Sequence, residues 1–486
     1  MNKASKGKSK QNKGTEKRCK DGSQKGVLKM NSKEKKLFLM EQEEVPKALV
    51  KLGIPTMIGM MTSALYNLVD TFFVGTLGTS QTAAVSVAFP ISLIMLAIGL
   101  LFGSGASSYL ARLLGNKKKK EADECFSTAL ITAVIVSGIV IAGMLLALNP
   151  MLSLLGATET ILPYAREYAV PFIIGLAFNV FNIVVTNMSP AEGATNFSMI
   201  AMLSGGITTM VLDPILIFGL NLGVRGAAIA TLLSRTVSFC CYMYYLLSGK
   251  SNFHFSFRFF HPDKKLYGEI FKIGIPMLCY QLLCSAAMSV TNMQAKQYGD
   301  AAVAGIGVAN RILSLGSMML VGFLKGYQPF TGYNFGAGRY DRAKRATKLM
   351  LIWSTAFCVS IGLLLLIFHG QLMHLFSKSD AELIAVGGKV LMANAVTFMG
   401  LGIGMVYNFM FMALGRAKEG GFISISRQGL FFLPLIFILP LFLGINGVIL
   451  AQPAADLLTY ISVAVMIHGK KFIPEQAPAK LACDTI

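Results

Sequence analysis

The sequence has little charge for its length. Only 14% of its 486 residues are Asp, Glu, Lys or Arg, and 54% are hydrophobic, whereas ordinary soluble domains are about 25% charged. Apolar runs of about 20 residues recur along nearly the whole chain, which is typical of polytopic helical membrane proteins. The composition therefore excludes a soluble multidomain enzyme.

Several short signatures are also absent. The five histidines show no HExxH or comparable metal-ligand spacing, and there is no phosphate-binding Walker loop. The eight cysteines form no CxxC pair, so we expect free thiols rather than disulfides or metal ligands. No charged, apolar and small-residue leader opens the chain, and a cleaved signal peptide is not expected. We therefore expect no enzyme, no cofactor and no direct use of ATP.

Positive charge is concentrated at the amino terminus. The net charge is +20, and residues 1–37 contribute half of it through Lys and Arg set among Ser, Gly and Gln. Such a segment is predicted to be disordered, and we expect residues 1–45 to form a basic cytoplasmic tail. The tail either helps to set topology or contacts anionic lipid headgroups. Because half of the excess charge lies in this tail, a nucleic-acid partner is not expected.

Twelve apolar segments are predicted to be membrane-spanning helices. They lie near residues 48–75, 82–112, 124–147, 162–187, 197–219, 225–248, 269–296, 302–334, 346–369, 381–413, 418–443 and 445–468. Because twelve is an even number, both termini are predicted on one side of the membrane. Lys and Arg are concentrated after the second, sixth, eighth and tenth segments, and the positive-inside rule therefore places both termini in the cytoplasm.

The two halves of the chain repeat each other. KLGIP at 51–55 returns as KIGIP at 272–276, and GVRG at 223–226 returns as GING at 444–447, both after 221 positions. The predicted fold is an all-α polytopic membrane protein, with twelve transmembrane helices in two pseudo-symmetric six-helix lobes and a binding site between them. The predicted domains are an N-lobe at 46–248, a cytoplasmic linker at 249–268, a C-lobe at 269–468 and a cytoplasmic tail at 469–486.

Two carboxylates lie inside apolar segments. Asp70 is in the middle of the first segment, and Asp213, followed by Pro214, is near the end of the fifth. An acid at mid-bilayer costs about 2.5–3.5 kcal/mol on insertion scales and marks a functional site by default. Two carboxylates brought together there would share one proton, as a proton-coupled carrier requires. With hydroxyls such as Thr209 and Thr231 they could instead ligate Na⁺, and Asp213 could alternatively only stabilise a helix break.

Several motifs together resemble the multidrug and toxic compound extrusion (MATE) family, in particular its bacterial MepA-like subgroup. They are YNLVDTFFVGTLG, GASSYLARLLGNKK, LDPILIFGLNLGVRGAAIAT, GYQPFTGYNFGA, and the late SRQ at 426–428 with Gln452, Pro453 and Asp456. The resemblance covers roughly residues 45–470. It implies a cation-coupled antiporter of the bacterial plasma membrane, working as a monomer by alternating access. The implied substrates are organic, often cationic and lipophilic, compounds.

The resemblance also implies a polar cluster in the N-lobe. In prokaryotic relatives it comprises an Asp of the first helix, an Asn and an Asp of the fifth, and a Thr of the sixth. Asp70, Asp213 and Thr231 match these positions, but Thr209 replaces the Asn, which leaves H⁺ or Na⁺ as the coupling ion, with H⁺ preferred. The C-lobe shows no comparable carboxylate cluster, since Asp456 is its main intramembrane acid. We therefore expect coupling in the N-lobe.

A cleft between the lobes is expected to bind the substrate. Its candidate lining residues are Tyr66, Asn67, Met61, Tyr280, Gln281, Met288 and Lys325. Flexible methionines suit promiscuous apolar binding, although core packing is an alternative role for each. Lys325, where relatives tend to have Gln, is expected to snorkel to the inner interface, pair with a carboxylate or attract an anionic group. A narrow-substrate exporter or a flippase of lipid-linked saccharides is the alternative, and a flippase would favour a basic cleft, for which Arg311 and Lys325 are the candidates.

Overall fold

The computed structural model describes residues 31–77, 79–155, 159, 161–376, 381–468 and 472–474, and these are almost entirely helical. The α-helices are α1 (Ser32–Glu41), α2 (Val45–Gly75), α3 (Thr79–Gly115), α4 (Lys119–Leu146), α5 (Leu148–Leu154), α6 (Leu162–Met188), α7 (Thr195–Pro214), α8 (Gly223–Leu247), α9 (Lys264–Lys296), α10 (Asp300–Gly336), α11 (Tyr340–Phe376), α12 (Ala381–Ala413), α13 (Ala417–Ile425), α14 (Phe432–Leu443) and α15 (Ile445–Ile467). Two short 3₁₀ helices, Ser189–Glu192 and Phe257–Phe259, lie in connections.

Twelve helical spans in the described ranges are long and apolar enough to cross a membrane, as predicted. The first six are α2, α3, α4, α6, α7 and α8, and the last six are α9, α10, α11, α12, α13 joined to α14, and α15. Boundaries differ most where helices continue past their apolar run. The seventh span begins at Lys264 instead of 269, inside the predicted linker, because hydropathy cannot detect a helical turn that starts with Lys264 and Lys265.

The fifth and eleventh spans each contain a turn of wider, π-type hydrogen bonding. These turns are Ile215–Gly219, which continues from α7, and Ser426–Leu430, which joins α13 to α14. Turns of this kind are rare in proteins, and those that occur are often found at functional sites. Asp213 lies just before the first turn and Arg427 lies within the second. A helix distortion therefore adjoins a charged residue in each half of the chain.

The amino-terminal segment is not disordered throughout, which corrects the prediction for residues 1–45. Residues 1–30 lie outside the described part of the chain, but α1 is a helix whose first turn is closed by a capping box of Asn31 and Glu34. Arg339 holds the end of α1 through Glu41 at 2.6 Å, and Lys36 donates to the Lys250 carbonyl at 2.9 Å. Composition alone missed α1 because these contacts come from distant parts of the chain.

The two halves of the bundle meet closely at the end where α2 and α9 begin. Thr56 donates a hydrogen bond to the Gly322 carbonyl at 2.6 Å, and Arg112 pairs with Glu269 at 2.9 Å. Where α2 and α10 cross, the helices are so close that only glycine fits at position 322, since a Cβ at Gly322 would lie 2.7 Å from the Cα of Met57. The halves are therefore in close contact where α2 and α9 begin.

Candidate functional site

Asp213 is a buried acid without partners. Its side chain is 0% exposed, and neither carboxylate oxygen has a hydrogen-bond partner in the described part of the chain. Asp70 on α2 is half-buried and lies close enough for its charge to act on Asp213. An ionised carboxylate without donors is strongly disfavoured in such a place. This arrangement suits a carboxyl that takes up a proton or a cation.

Arg235 on α8 is a third charged member of this cluster, and the sequence analysis did not single it out. Its charge acts on Asp70 and also on Tyr66 and Tyr168. The guanidinium lies over the Phe172 ring, 4.7 Å from the centroid. The sequence could have identified Arg235 as a site candidate, because a single Arg in the middle of an apolar segment is as unusual as the Asp at position 70.

The two threonines of the predicted cluster occupy different environments. Thr209 is 3% exposed, and its hydroxyl donates to the Gly205 carbonyl of its own helix at 3.3 Å. Thr231 is half-buried and lies one helical turn before Arg235. In the described structure neither hydroxyl donates to Asp213. Their oxygens remain acceptors, but their grouping into an ion site stays a prediction.

The second half of the chain has its own buried charge pair. Asp456 accepts hydrogen bonds from Arg427 Nε at 2.8 Å and Nη2 at 3.3 Å, and from Gln452 Nε2 at 2.8 Å. The Asp456 side chain is 5% exposed. At the repeat shift of 221 positions, Gln452 and Asp456 correspond to Thr231 and Arg235. The sixth helix of each half thus contributes a charged residue of opposite sign at the same position.

The predicted cleft residues fall into separate groups. Tyr66 belongs with Asp70 and Arg235, while Tyr280 lies near Arg427 and Asp456. Of the other candidates, Met61 and Gln281 are half-buried, Asn67 is exposed with its amide donating to the Ser63 carbonyl at 2.7 Å, and Met288 is 63% exposed. The structure brings a tyrosine to each charged cluster and does not unite the whole set.

Lys325 lies apart from both clusters. It lines a small polar pocket between α10 of one half and α3 and α6 of the other. Among the described residues it forms no ion pair, so the expected pairing with a carboxylate is not found. The basic residues inside the membrane spans also include Arg235 and Arg427, whereas Arg311 and Lys325 were the basic candidates that the sequence suggested for the cleft.

A further buried acid, in the connection before α7, forms hydrogen bonds with the end of α8 and the segment after it. Glu192 is 1% exposed and accepts hydrogen bonds from Tyr245 at 2.6 Å and from Ser251 at 3.0 Å. Lys36 of α1 in turn donates to the Tyr245 hydroxyl. Burial lowers the pKa of Lys36, although the negative charge of Glu192 opposes this effect. This network fixes the connection and has no exposed carboxylate for transport chemistry.

Comparison with known proteins agrees with this architecture. The MatE family model matches residues 55–215 and 276–438, one stretch in each repeat. "Multidrug export protein MepA" of Staphylococcus haemolyticus (strain JCSC1435) is 30% identical over 420 residues, which cover 86% of this chain and 92% of that protein. Two solved structures, "Crystal structure of MATE in complex with MaL6" and "Outward-facing conformation of a multidrug resistance MATE family transporter of the MOP superfamily", superpose with TM-scores of 0.84 and 0.82. Each is 29% identical and covers 88% of this chain and 96% of its own. The chain is therefore a member of the MATE family of multi-pass membrane transporters.

Proposed function

We propose that this protein is a proton-coupled antiporter that exports organic, often cationic and lipophilic, compounds across the bacterial plasma membrane. The observation that carries the proposal is the buried, unpartnered carboxyl of Asp213 within the field of Asp70. The names of the similar proteins support multidrug export, and the resemblance to the family implies the cationic, lipophilic substrates. Tyr66, Asn67, Met61, Tyr280, Gln281 and Met288 are the proposed substrate contacts.

Arg235 favours a proton over Na⁺ as the coupling ion. A proton neutralises a carboxylate without adding a separate positive centre, whereas a bound Na⁺ would be repelled by the guanidinium charge that acts on Asp70. Thr209 and Thr231 serve in this proposal as hydrogen-bonding residues near the shared proton.

The direction of transport follows from the predicted topology. With both termini in the cytoplasm, the end at which the halves are in close contact is the cytoplasmic one, which supports an outward-facing state. A proton arriving from outside at Asp70 and Asp213 then favours release of the substrate to the outside. Proton and substrate must disfavour each other's binding, and this coupling is reciprocal by linkage.

The test is ethidium efflux by purified protein in liposomes under imposed gradients. We expect efflux driven by a proton gradient in the absence of Na⁺, and no added efflux from a Na⁺ gradient at equal pH. Efflux driven by Na⁺ alone would overturn the choice of ion. No efflux under either gradient, with ethidium replaced by several lipophilic cations, would overturn multidrug export and favour a narrow-substrate exporter or a lipid flippase.

A further inference from the structure

The pocket beside Lys325 lies where the two halves of the bundle meet. It is lined by Ser104, Ser107, Thr186, Asn187, Lys325 and Gln328. The first four residues belong to α3 and α6 of the first half, and the last two belong to α10 of the second. Any group held in this pocket therefore contacts both halves at once.

The positive charge of Lys325 is not balanced by the protein around it. No described acid forms an ion pair with it, and Glu192, in the connection beside the pocket, is already engaged by Tyr245 and Ser251. A charged side chain inside a membrane span is costly unless it is paired or hydrated. A negative group bound in the pocket would therefore stabilise the ammonium of Lys325.

The pocket lining holds both donors and acceptors, since the Ser104 hydroxyl donates to Asn187 Oδ1 at 3.5 Å, but one of its donors is buried without a partner among the described residues. Gln328 is only 9% exposed, and its Nε2 has no partner among the described residues. The neighbouring Asn187 amide nitrogen already donates to the Ile183 carbonyl at 2.7 Å, and the Thr186 hydroxyl is shared with Tyr242 at 2.6 Å. The ammonium of Lys325 and the amide N–H groups of Gln328 thus remain to bind an acceptor.

We propose that Lys325 and Gln328 bind a small monovalent inorganic anion, such as chloride, between the two halves of the bundle. The pocket is small, and its size excludes a drug-sized compound. Because the bound anion contacts both halves, it stabilises the state in which they are closed together here. This site is separate from Asp70 and Asp213, and the proposal does not rest on the proposed export.

Thermal unfolding of the purified protein in detergent tests the proposal. We expect NaCl and NaBr to raise the apparent unfolding temperature in a saturable manner relative to sodium gluconate at equal ionic strength. Lys325→Gln, which keeps a polar side chain of similar length, should lose most of this rise. Lys272→Gln, which removes a lysine paired with Glu269 on α9, should keep it. An equal halide response in Lys325→Gln, or none in the wild type, would overturn the proposal.

Two further measurements keep the result decisive if Lys325→Gln does not fold. Crystals of the wild-type protein soaked in bromide should show an anomalous peak beside Lys325 and Gln328, and its absence would contradict the site. Sodium acetate separates inorganic anions from carboxylates. Stabilisation by acetate and not by halide would overturn the inorganic assignment and make the pocket a site for the carboxylate of a transported compound.

Discussion

Arg427 donates two hydrogen bonds to Asp456, at 2.8 and 3.3 Å, and Gln452 donates a third. Asp213 in the first half of the chain receives none from the described residues. The two buried acids therefore differ in their surroundings. Asp456 is held by three donors in a fixed pair, whereas both carboxylate oxygens of Asp213 are without a donor among the described residues.

Breaking the Arg427 pair should destabilise the fold. Removing one partner of a buried ion pair costs about 3–5 kcal/mol because the other charge is left buried, whereas replacing both can be nearly neutral. Arg427→Met should therefore lower the apparent unfolding temperature markedly, and adding Asp456→Leu should restore much of it. Arg416→Met is the matched control, since its pair with Glu419 is exposed, spans 3.6 Å and should contribute only about 0–1 kcal/mol. An unchanged unfolding temperature in Arg427→Met would show that the pair is not structural.

Asp213→Asn should leave the fold intact but prevent transport coupling. The variant loses no hydrogen bond to a described residue and gains a neutral amide of the same shape. We expect a similar unfolding temperature together with loss of efflux driven by a proton gradient. Asp341→Asn, at an exposed position at the start of α11, should transport normally. If Asp213→Asn transported like the wild type, Asp213 would have no coupling role.

Replacing glycine by alanine on α10 should change the unfolding temperature differently at two positions, depending on how closely α2 packs against each. A Cβ at Gly326 would lie 2.5 Å from the Leu52 carbonyl carbon, whereas none of the described atoms lies within 4 Å of a Cβ at Gly307. Alanine is the better helix former at both positions, by about 0.8–1.0 kcal/mol. We therefore expect Gly326→Ala to lower the unfolding temperature, while Gly307→Ala leaves it unchanged or raises it. Equal shifts in the two variants would contradict the close packing of α2 against α10.

Helix α1 should depend on its contact with the second half of the chain. Glu41→Arg places two positive charges together at the Arg339 contact, and hydrogen exchange over residues 32–41 should become faster. Because the pair is partly exposed, the effect should be about 1 kcal/mol or less. The exchanged double variant, Glu41→Arg with Arg339→Glu, should recover most of the protection. Failure of the double variant to recover would mean that the ion pair does not hold α1.

The sequence was sufficient to predict the helices, because helices that span a bilayer need long apolar runs. Twelve apolar runs of spanning length could be counted directly, and Asp70 and Asp213 are conspicuous in such runs. Their mutual proximity was inferred from depth; in the structure the charge of Asp70 acts on Asp213, and their joint role stays a prediction.

The remaining features depend on contacts between distant segments. Arg235 can act on Asp70 only because the fold brings α8 near α2. Helix α1 is held by Arg339, which is nearly 300 positions away in the sequence. Lys325 suggested several roles in the sequence, and its position in a pocket at the junction of the halves became visible only in the structure. Hydropathy does not encode such pairings.

The most direct test of the account is ethidium efflux by the Asp70→Asn variant in liposomes with an imposed proton gradient. Ethidium binding and an unchanged unfolding temperature would first establish that the variant is folded. The account predicts that proton-driven efflux is lost while ethidium still binds, and that binding no longer releases a proton. Wild-type efflux by Asp70→Asn would contradict the claim that Asp70 and Asp213 hold the coupling proton.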